Sequence, residues 1–71
     1  MQRNLRYSTH AIYRKLERDI KDDEITLTLN DPDYTLTSFE GRKVAVKNMG
    51  PKTIHVVYAE EATHINIVTV Y

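Results

Sequence analysis

The first regular pattern of apolar residues lies between residues 9 and 20. Ile12, Leu16 and Ile20 recur every four residues, and Tyr13 lies beside the first of them. A helix turns once in about 3.6 residues, so this spacing places the apolar side chains on one side of a helix. We therefore predict a helix over residues 9–20 whose apolar stripe packs against the core.

The same helix has a polar side that carries candidate chemistry. Ser8 or Thr9 can serve as its N-cap, since both have a hydroxyl that accepts a backbone N–H. His10, Arg14 and Arg18 are four residues apart and share a face. Guanidinium groups bind phosphate through paired donors, and an imidazole can move a proton near neutral pH. This group is a candidate phosphate-binding or catalytic site, and a solvated helix face with local ion pairs is the simpler interpretation.

Residues 22–30 are compatible with two structures. Their second half alternates between apolar and polar residues, which is typical of a half-buried strand. Three acids open the segment, Ile25 and Leu29 are spaced as on a helix, and Asn30-Asp31-Pro32 is a helix stop signal. The residues alone leave strand and helix open.

The remaining pattern has the period of two expected for β-strands, with many β-branched and aromatic residues. Glycine, proline and polar residues separate the segments. The pattern predicts a short N-terminal strand and a later antiparallel β-meander, with strands at residues 3–7, 34–39, 43–47, 54–59 and 65–71.

Strict alternation divides the meander into two faces. The face expected under the helices contains Val44, Val46, Ile54, Val56, Tyr58, Ile65 and Ile67. The opposite face is expected to contain Lys43, Ala45, Lys47, His55, Val57, Ala59, Asn66, Val68 and Val70. A face in water rarely carries Val57, Val68 and Val70 together, so we expect them to form an interface with another copy, a partner or a ligand.

On that opposite face His55 is predicted to lie between Lys43 and Lys47. Neighbouring positive charges lower the pKa of a histidine, so it could act as a general base, with the lysines binding phosphate. A strand histidine packed at an interface is the alternative. The three histidines lack metal-ligand spacing, and the sequence predicts neither a metal nor a cofactor.

Length and composition further limit the classes of protein to which the chain can belong. Seventy-one residues correspond to a single domain, 1–71, with a thin core. The chain has no cysteine, no apolar run long enough to cross a membrane and no signal-like N-terminus, which predicts a cytoplasmic protein. Ten basic and ten acidic residues cancel, which argues against a strongly electrostatic nucleic-acid binder. However, residues 1–18 carry five positive charges and one negative, so a local basic surface is expected.

The chain carries several short motifs, namely Tyr7-Ser8-Thr9-His10-Ala11, Arg14, Glu17-Arg18-Asp19-Ile20, Asn30-Asp31-Pro32-Asp33 and the ending Ile67-Val68-Thr69-Val70-Tyr71. Together these motifs resemble an uncharacterised small-domain family related to the BrnT and RelE toxins. The resemblance implies an α+β fold with a short N-terminal strand, two helices and an antiparallel three- to four-stranded meander, which favours a helix at residues 22–30. It also implies contact with RNA or the ribosome, with His10, Arg14 and Arg18 matching the family's signature.

Two functional hypotheses follow. The first is a toxin-like domain that binds RNA or cleaves it as a metal-independent endoribonuclease, using His10, Arg14, Arg18 and His55, with an antitoxin-like protein as partner. The second is a non-catalytic interaction module that forms a homodimer or binds a partner through the outer sheet face. The residues lean against catalysis without excluding it.

Overall fold

The chain forms an α+β domain of two helices and five strands. The computed structural model describes residues 4–37 and 39–71. Arg3 and Ser38, which belong to two of the predicted strands, lie outside this part. The elements in chain order are β1 (Asn4–Tyr7), α1 (Thr9–Glu17), α2 (Asp22–Asn30), β2 (Tyr34–Thr37), a short 3-10 turn (Phe39–Gly41), β3 (Lys43–Asn48), β4 (Thr53–Glu60) and β5 (His64–Val70).

The strands form one mixed sheet in the order β1-β5-β4-β3-β2. Strands β2 to β5 pair antiparallel with their neighbours in the chain, while β1 joins the far edge parallel to β5. Strands β2 to β5 thus form an antiparallel meander of four strands, within the predicted three to four, and the parallel pairing of the N-terminal strand β1, which the sequence did not predict, makes the whole sheet five-stranded and mixed. The two helices lie between β1 and β2 in the chain. This long connection allows β1 to pair with the last strand, β5, at the far edge of the sheet.

Helix α1 ends earlier than the apolar spacing predicts. Its last helical residue is Glu17, and Asp19 has φ 53°, in the left-handed region that interrupts a helix. The chain then turns, and the backbone N–H of Ile20 donates to the carbonyl of Lys15 at 2.9 Å. This turn brings Ile20 into the core although it is not part of the helix.

Residues 22–30 adopt the helical alternative. The Lys21 N–H donates to Glu24 Oε1 at 2.9 Å, and Lys52 Nζ lies 3.0 Å from the same oxygen. Both contacts lower the pKa of Glu24, the backbone N–H most. Thr28 is fully buried, and its hydroxyl donates to the Glu24 carbonyl at 2.7 Å. Because its hydroxyl is satisfied within its own helix, Thr28 is buried without an unpaired polar group.

The core lies between the helices and one face of the sheet. Helix α1 packs over β5 and β1, and α2 packs over β4 and β3. The buried cluster consists of Ala11, Ile20, Ile25, Ile54, Val56, Ile67 and Val70.

The face assignment of β3 is opposite to the prediction. Ala45 pairs with Val56 and Lys47 pairs with Ile54, so these β3 residues are on the helix side. Val46 pairs with His55 on the other side. The predicted placement of Lys43 and Lys47 on the face of His55 is therefore wrong.

A bulge changes the faces of β5. Val57 pairs with Thr69 while Tyr58 pairs with Ile67, which leaves Val68 as an extra residue. Ile67 and Val70 consequently both face the helices, although strict alternation puts them on opposite sides. The predicted position of Val70 on the opposite face is wrong for this reason.

The sheet side away from the helices is called the outer face below. It is defined by Tyr34, Leu36, Val44, Val46, His55, Val57, Ala59, Asn66, Thr69 and Tyr71.

Candidate functional site

The most exposed large apolar side chains of α1 form a continuous surface. Ile12, Tyr13 and Leu16 are 49%, 67% and 73% exposed, and we call them the α1 stripe. The core contact of the helix is instead Ala11, which is fully buried. The expectation that Ile12 and Leu16 pack in the core is therefore wrong.

The rotation of α1 is set by its first residues. The Ser8 hydroxyl accepts the N–H of Ala11 at 3.0 Å and donates to the Val68 carbonyl at 2.7 Å. The Ser8 N–H also donates to the Ile67 carbonyl at 3.0 Å. These bonds fix the start of the helix on β5 with Ala11 facing the sheet. Positions one, two and five residues later on a helix then point away from it.

A small residue at the contact point supports this arrangement. The methyl group of Ala11 allows the α1 backbone to approach the sheet more closely than a larger side chain would. Lys15, on the same side of the helix as Ala11, extends along the protein and its Nζ lies 2.9 Å from Asp22 Oδ1. After its first turn, α1 is therefore held to the rest of the protein by the buried Ala11 and by the ion pair of Lys15 with Asp22. Its large apolar residues remain in solvent.

Beside the stripe lies an open depression of about 330 Å³. It is lined by Tyr13, Leu16 and Glu17. The lining combines an aromatic ring, an aliphatic side chain and a carboxylate. Such a depression can accept an apolar side chain of a binding partner and offers Glu17 as a polar contact at its margin.

The predicted group of His10, Arg14 and Arg18 lies along α1 and at its C-terminal end. His10 and Arg18 are exposed. Arg14 Nη1 lies 3.4 Å from Glu17 Oε1, while Arg18 forms no ion pair with any residue the structure describes. His10 and Arg14 are therefore one turn apart on the same face of α1, and Arg18 is the C-cap residue that follows the helix.

His55 lies on the opposite side of the sheet from α1. Its ring stacks on Tyr71 with centroids 4.6 Å apart and planes 7° apart. His55 Nδ1 is buried and has no hydrogen-bond partner within residues 4–37 and 39–71. The sheet therefore lies between His55 and His10, and the structure does not bring the two histidines together.

The two lysines predicted beside His55 are engaged elsewhere. Lys43 Nζ lies 2.7 Å from Glu60 Oε1. Lys47 Nζ donates to the Asp31 carbonyl at 2.8 Å and lies 3.8 Å from Asp33 Oδ1. The predicted group of His55 with two lysines is therefore not assembled, because both amines reach acidic partners on the helix side.

The three predicted interface valines fall in different environments. Val57 is half-buried on the outer face, and Val68 is half-buried in the bulge of β5. Val70 is fully buried in the core. Of the three, Val57 and Val68 have surface available for a partner.

Two further findings concern metals and membranes. In the described residues no group of three or more His, Asp or Glu side chains is arranged to hold a metal ion. Neither described helix has the length and apolarity that crossing a bilayer requires.

Sequence reasoning missed both the exposure of the α1 stripe and its cause. The available signal was Ser8-x-x-Ala11, a helix cap followed three residues later by the smallest apolar residue of the helix. A pattern that ranks residues by hydrophobicity alone assigns Ile12 and Leu16 to the core and overlooks Ala11.

The protein is a small α+β domain with two helices on one face of a five-stranded mixed sheet. It belongs to the family described as Domain of unknown function (DUF4258), which matches residues 7–71. Searches of curated proteins and of solved structures gave no match. None of these comparisons connects the chain with the BrnT or RelE toxins.

Proposed function

We propose that this chain is a non-catalytic protein-interaction module that binds an amphipathic helix of a partner protein along the α1 stripe. The observation that carries the proposal is the exposure of Ile12, Tyr13 and Leu16 on a helix whose core contact is Ala11. A surface helix normally turns its apolar side to the core. Here the larger apolar side is left for a second contact.

The dimensions of the stripe suit one helix. The nine residues of α1 extend about 13 Å, and Ile12 and Leu16 form an i, i+4 ridge with Tyr13 beside it. Such a ridge packs between the apolar rows of a facing helix. Full burial of an aliphatic or aromatic side chain contributes about 1.5–3 kcal/mol. Three partly exposed side chains therefore make roughly 3–5 kcal/mol available to binding.

The charge beside the stripe indicates the polarity of the partner. His10 and Arg14 share another face of α1, Arg18 is its C-cap, and Glu17 is the one acid among residues 1–18. Complementary charges steer association and select partners. We expect the partner helix to carry Asp or Glu residues next to its apolar side.

RNA binding by the same helix is a second candidate. His10 and Arg14 share one face of α1, and Arg18, its C-cap, has no ion pair in the described part of the chain. Paired guanidiniums suit phosphate. The separation of His10 from His55 favours binding over cleavage, and the neutral net charge favours the protein partner.

The test compares a double variant of the α1 stripe with a control variant of an exposed leucine on α2. Tagged wild type, the double variant Tyr13→Ser/Leu16→Asp and the control Leu27→Asp are expressed in the source organism, and captured proteins are identified by mass spectrometry. Leu27 is the matched control because it is an exposed leucine on α2. The helical segment of the captured protein is then synthesised, and its affinity for each variant is measured by calorimetry.

We expect wild type and Leu27→Asp to bind the same peptide. The α1 double variant should bind it at least about tenfold more weakly, corresponding to about 1.4 kcal/mol or more. Equal binding by all three chains would contradict the proposal.

The RNA candidate is separated by fluorescence anisotropy with a labelled 20-nucleotide single strand. RNA binding by α1 requires that the double variant Arg14→Gln/Arg18→Gln binds the strand more weakly, while Tyr13→Ser/Leu16→Asp binds it as the wild type does. No binding of this strand by wild type at low salt would dismiss RNA as the ligand of α1.

A further inference from the structure

We propose that a second copy of the chain pairs antiparallel with β2, which joins the two sheets edge to edge. β2 forms one edge of the sheet, and all four of its residues are exposed. The helices pack over β5, β1, β4 and β3, so β2 extends beyond the main helical layer. The α1 stripe lies near the opposite edge, which makes this surface independent of the proposed function.

The register shows which backbone groups of β2 are open. His55 and Tyr71 exchange both of their backbone hydrogen bonds, so the neighbours of His55 in β4 bond to β3. The same alternation directs the backbone groups of Tyr34 and Leu36 toward β3. Thr35 and Thr37 therefore present their N–H and C=O groups to the open edge.

The edge lacks the usual protection against pairing. Edge strands commonly carry a lysine, a proline or a bulge within the exposed segment. The sequence of β2, Tyr-Thr-Leu-Thr, contains no charge and no proline. Tyr34 and Leu36 are 54% and 52% exposed on the outer face, next to Val46 and Val44 of β3. A second β2 strand would extend this apolar row.

Two-fold symmetry fits the side chains and the charges. An antiparallel register that pairs Thr35 with Thr37 of the second copy forms four backbone hydrogen bonds and places the two Leu36 side chains together. Asp31 and Asp33 lie before β2, beside Lys47, while Arg42 lies after it, with its Nη2 4.0 Å from Glu40 Oε2. Antiparallel pairing brings the first group of each copy near the second group of the other, and each group contains charges of both signs. Like charges therefore do not oppose a second copy at this edge.

The contact is short, and we expect a weak dimer with micromolar affinity. Sedimentation equilibrium of wild type should show a concentration-dependent mass that approaches twice the 8.3 kDa of one chain. Thr35→Pro removes an N–H that points to the open edge and leaves the bonds to β3 intact. It should raise the dissociation constant by about tenfold or more, whereas the control Thr35→Val keeps the N–H and should remain dimeric.

Amide exchange of the wild-type chain provides a second measurement that does not depend on how the proline variant folds. The Thr35 and Thr37 N–H groups should exchange slowly in a concentrated solution and rapidly in a dilute one. Fast exchange at both concentrations would overturn the proposal. So would a monomer at millimolar concentration, an undiminished dimer in folded Thr35→Pro, or a dimer abolished by Leu16→Asp, which would place self-association on α1.

Discussion

Ser8 determines how α1 sits on the sheet, and its hydroxyl has two separable roles. As N-cap it accepts the Ala11 N–H, and as a donor it satisfies the Val68 carbonyl in the bulge of β5. Replacing Ser8 by Ala removes both bonds. Loss of the cap costs about 1 kcal/mol, and loss of the partly buried bond to Val68 costs about 0.5–1.5 kcal/mol. The expected decrease in the free energy of unfolding is therefore about 1.5–2.5 kcal/mol.

The roles of Ser8 are separated by a second variant and a control. Ser8→Asp keeps an acceptor for the cap but has no proton to donate to Val68, so it should lose about half as much stability as Ser8→Ala. Thr9→Ala removes the adjacent hydroxyl, which is exposed, and should change stability by less than about 0.5 kcal/mol. Urea denaturation followed by circular dichroism measures all three. A Thr9→Ala loss equal to that of Ser8→Ala, or full stability of Ser8→Asp, would refute this reasoning.

Two further predictions concern the helix surface and the pH dependence of folding. Leu16→Ala should cost less than about 0.5 kcal/mol because the side chain is in solvent, whereas buried Ile25→Ala should cost about 2–4 kcal/mol; comparable losses in urea denaturation would contradict the exposure of Leu16. Burial, then the charge and hydrogen bond of Asp22, raise the pKa of Tyr7 to about 12 from 10.0. The neutral phenol is the form that folding favours, so its contribution to stability is complete below pH 10.0 and is lost as the pH rises through about 12. Tyr7→Phe should therefore weaken the alkaline fall in stability measured by urea denaturation, and an unchanged pH profile would contradict the raised pKa.

The class of fold could be predicted from the sequence because its signals are local. Apolar spacing of three and four residues indicates a helix at α1, and period-two alternation indicates the strands. Both patterns follow from backbone geometry alone. The single domain, 1–71, stays a prediction.

The orientation of α1 could not be predicted because it depends on a contact distant in sequence. The Ser8 hydroxyl bonds to Val68, 60 residues later, and this bond turns Ala11 rather than Ile12 toward the sheet. Hydrophobicity ranks Ile12 and Leu16 above Ala11, so a local pattern favours the wrong side of the helix. The exposed stripe was missed for this reason.

The sheet faces were mispredicted for two physical reasons. The β3 sequence Lys-Val-Ala-Val-Lys alternates, and alternation alone does not decide whether its lysines or its valines face the helices. In the structure the lysine side faces the helices, where Lys47 donates to the Asp31 carbonyl and Ala45 pairs with Val56. In β5 the bulge inserts one residue, and a one-residue insertion exchanges the faces beyond it. Neither the tertiary ion pair nor the bulge has a local sequence signal.

The candidate catalytic site was less predictable than the fold. Its members were selected by residue type. The sheet separates His55 from the others, and this separation depends on the fold of the whole chain rather than on any local pattern. His10 and Arg14 remain neighbours because they lie one turn apart on α1, and Arg18 follows as its C-cap. His55 does not join them because β4 presents it on the outer face, stacked on Tyr71.

The central claim is that α1 turns its large apolar side chains away from the core. The chain contains no cysteine, so one introduced thiol reports on one position. In native conditions the thiol of Leu16→Cys should react with a disulfide reagent at nearly the rate of an unfolded control. The thiol of Ala11→Cys should react at least about 100-fold more slowly, because its reaction requires opening of the structure. Fast labelling at position 11 with protection at position 16 would contradict the account.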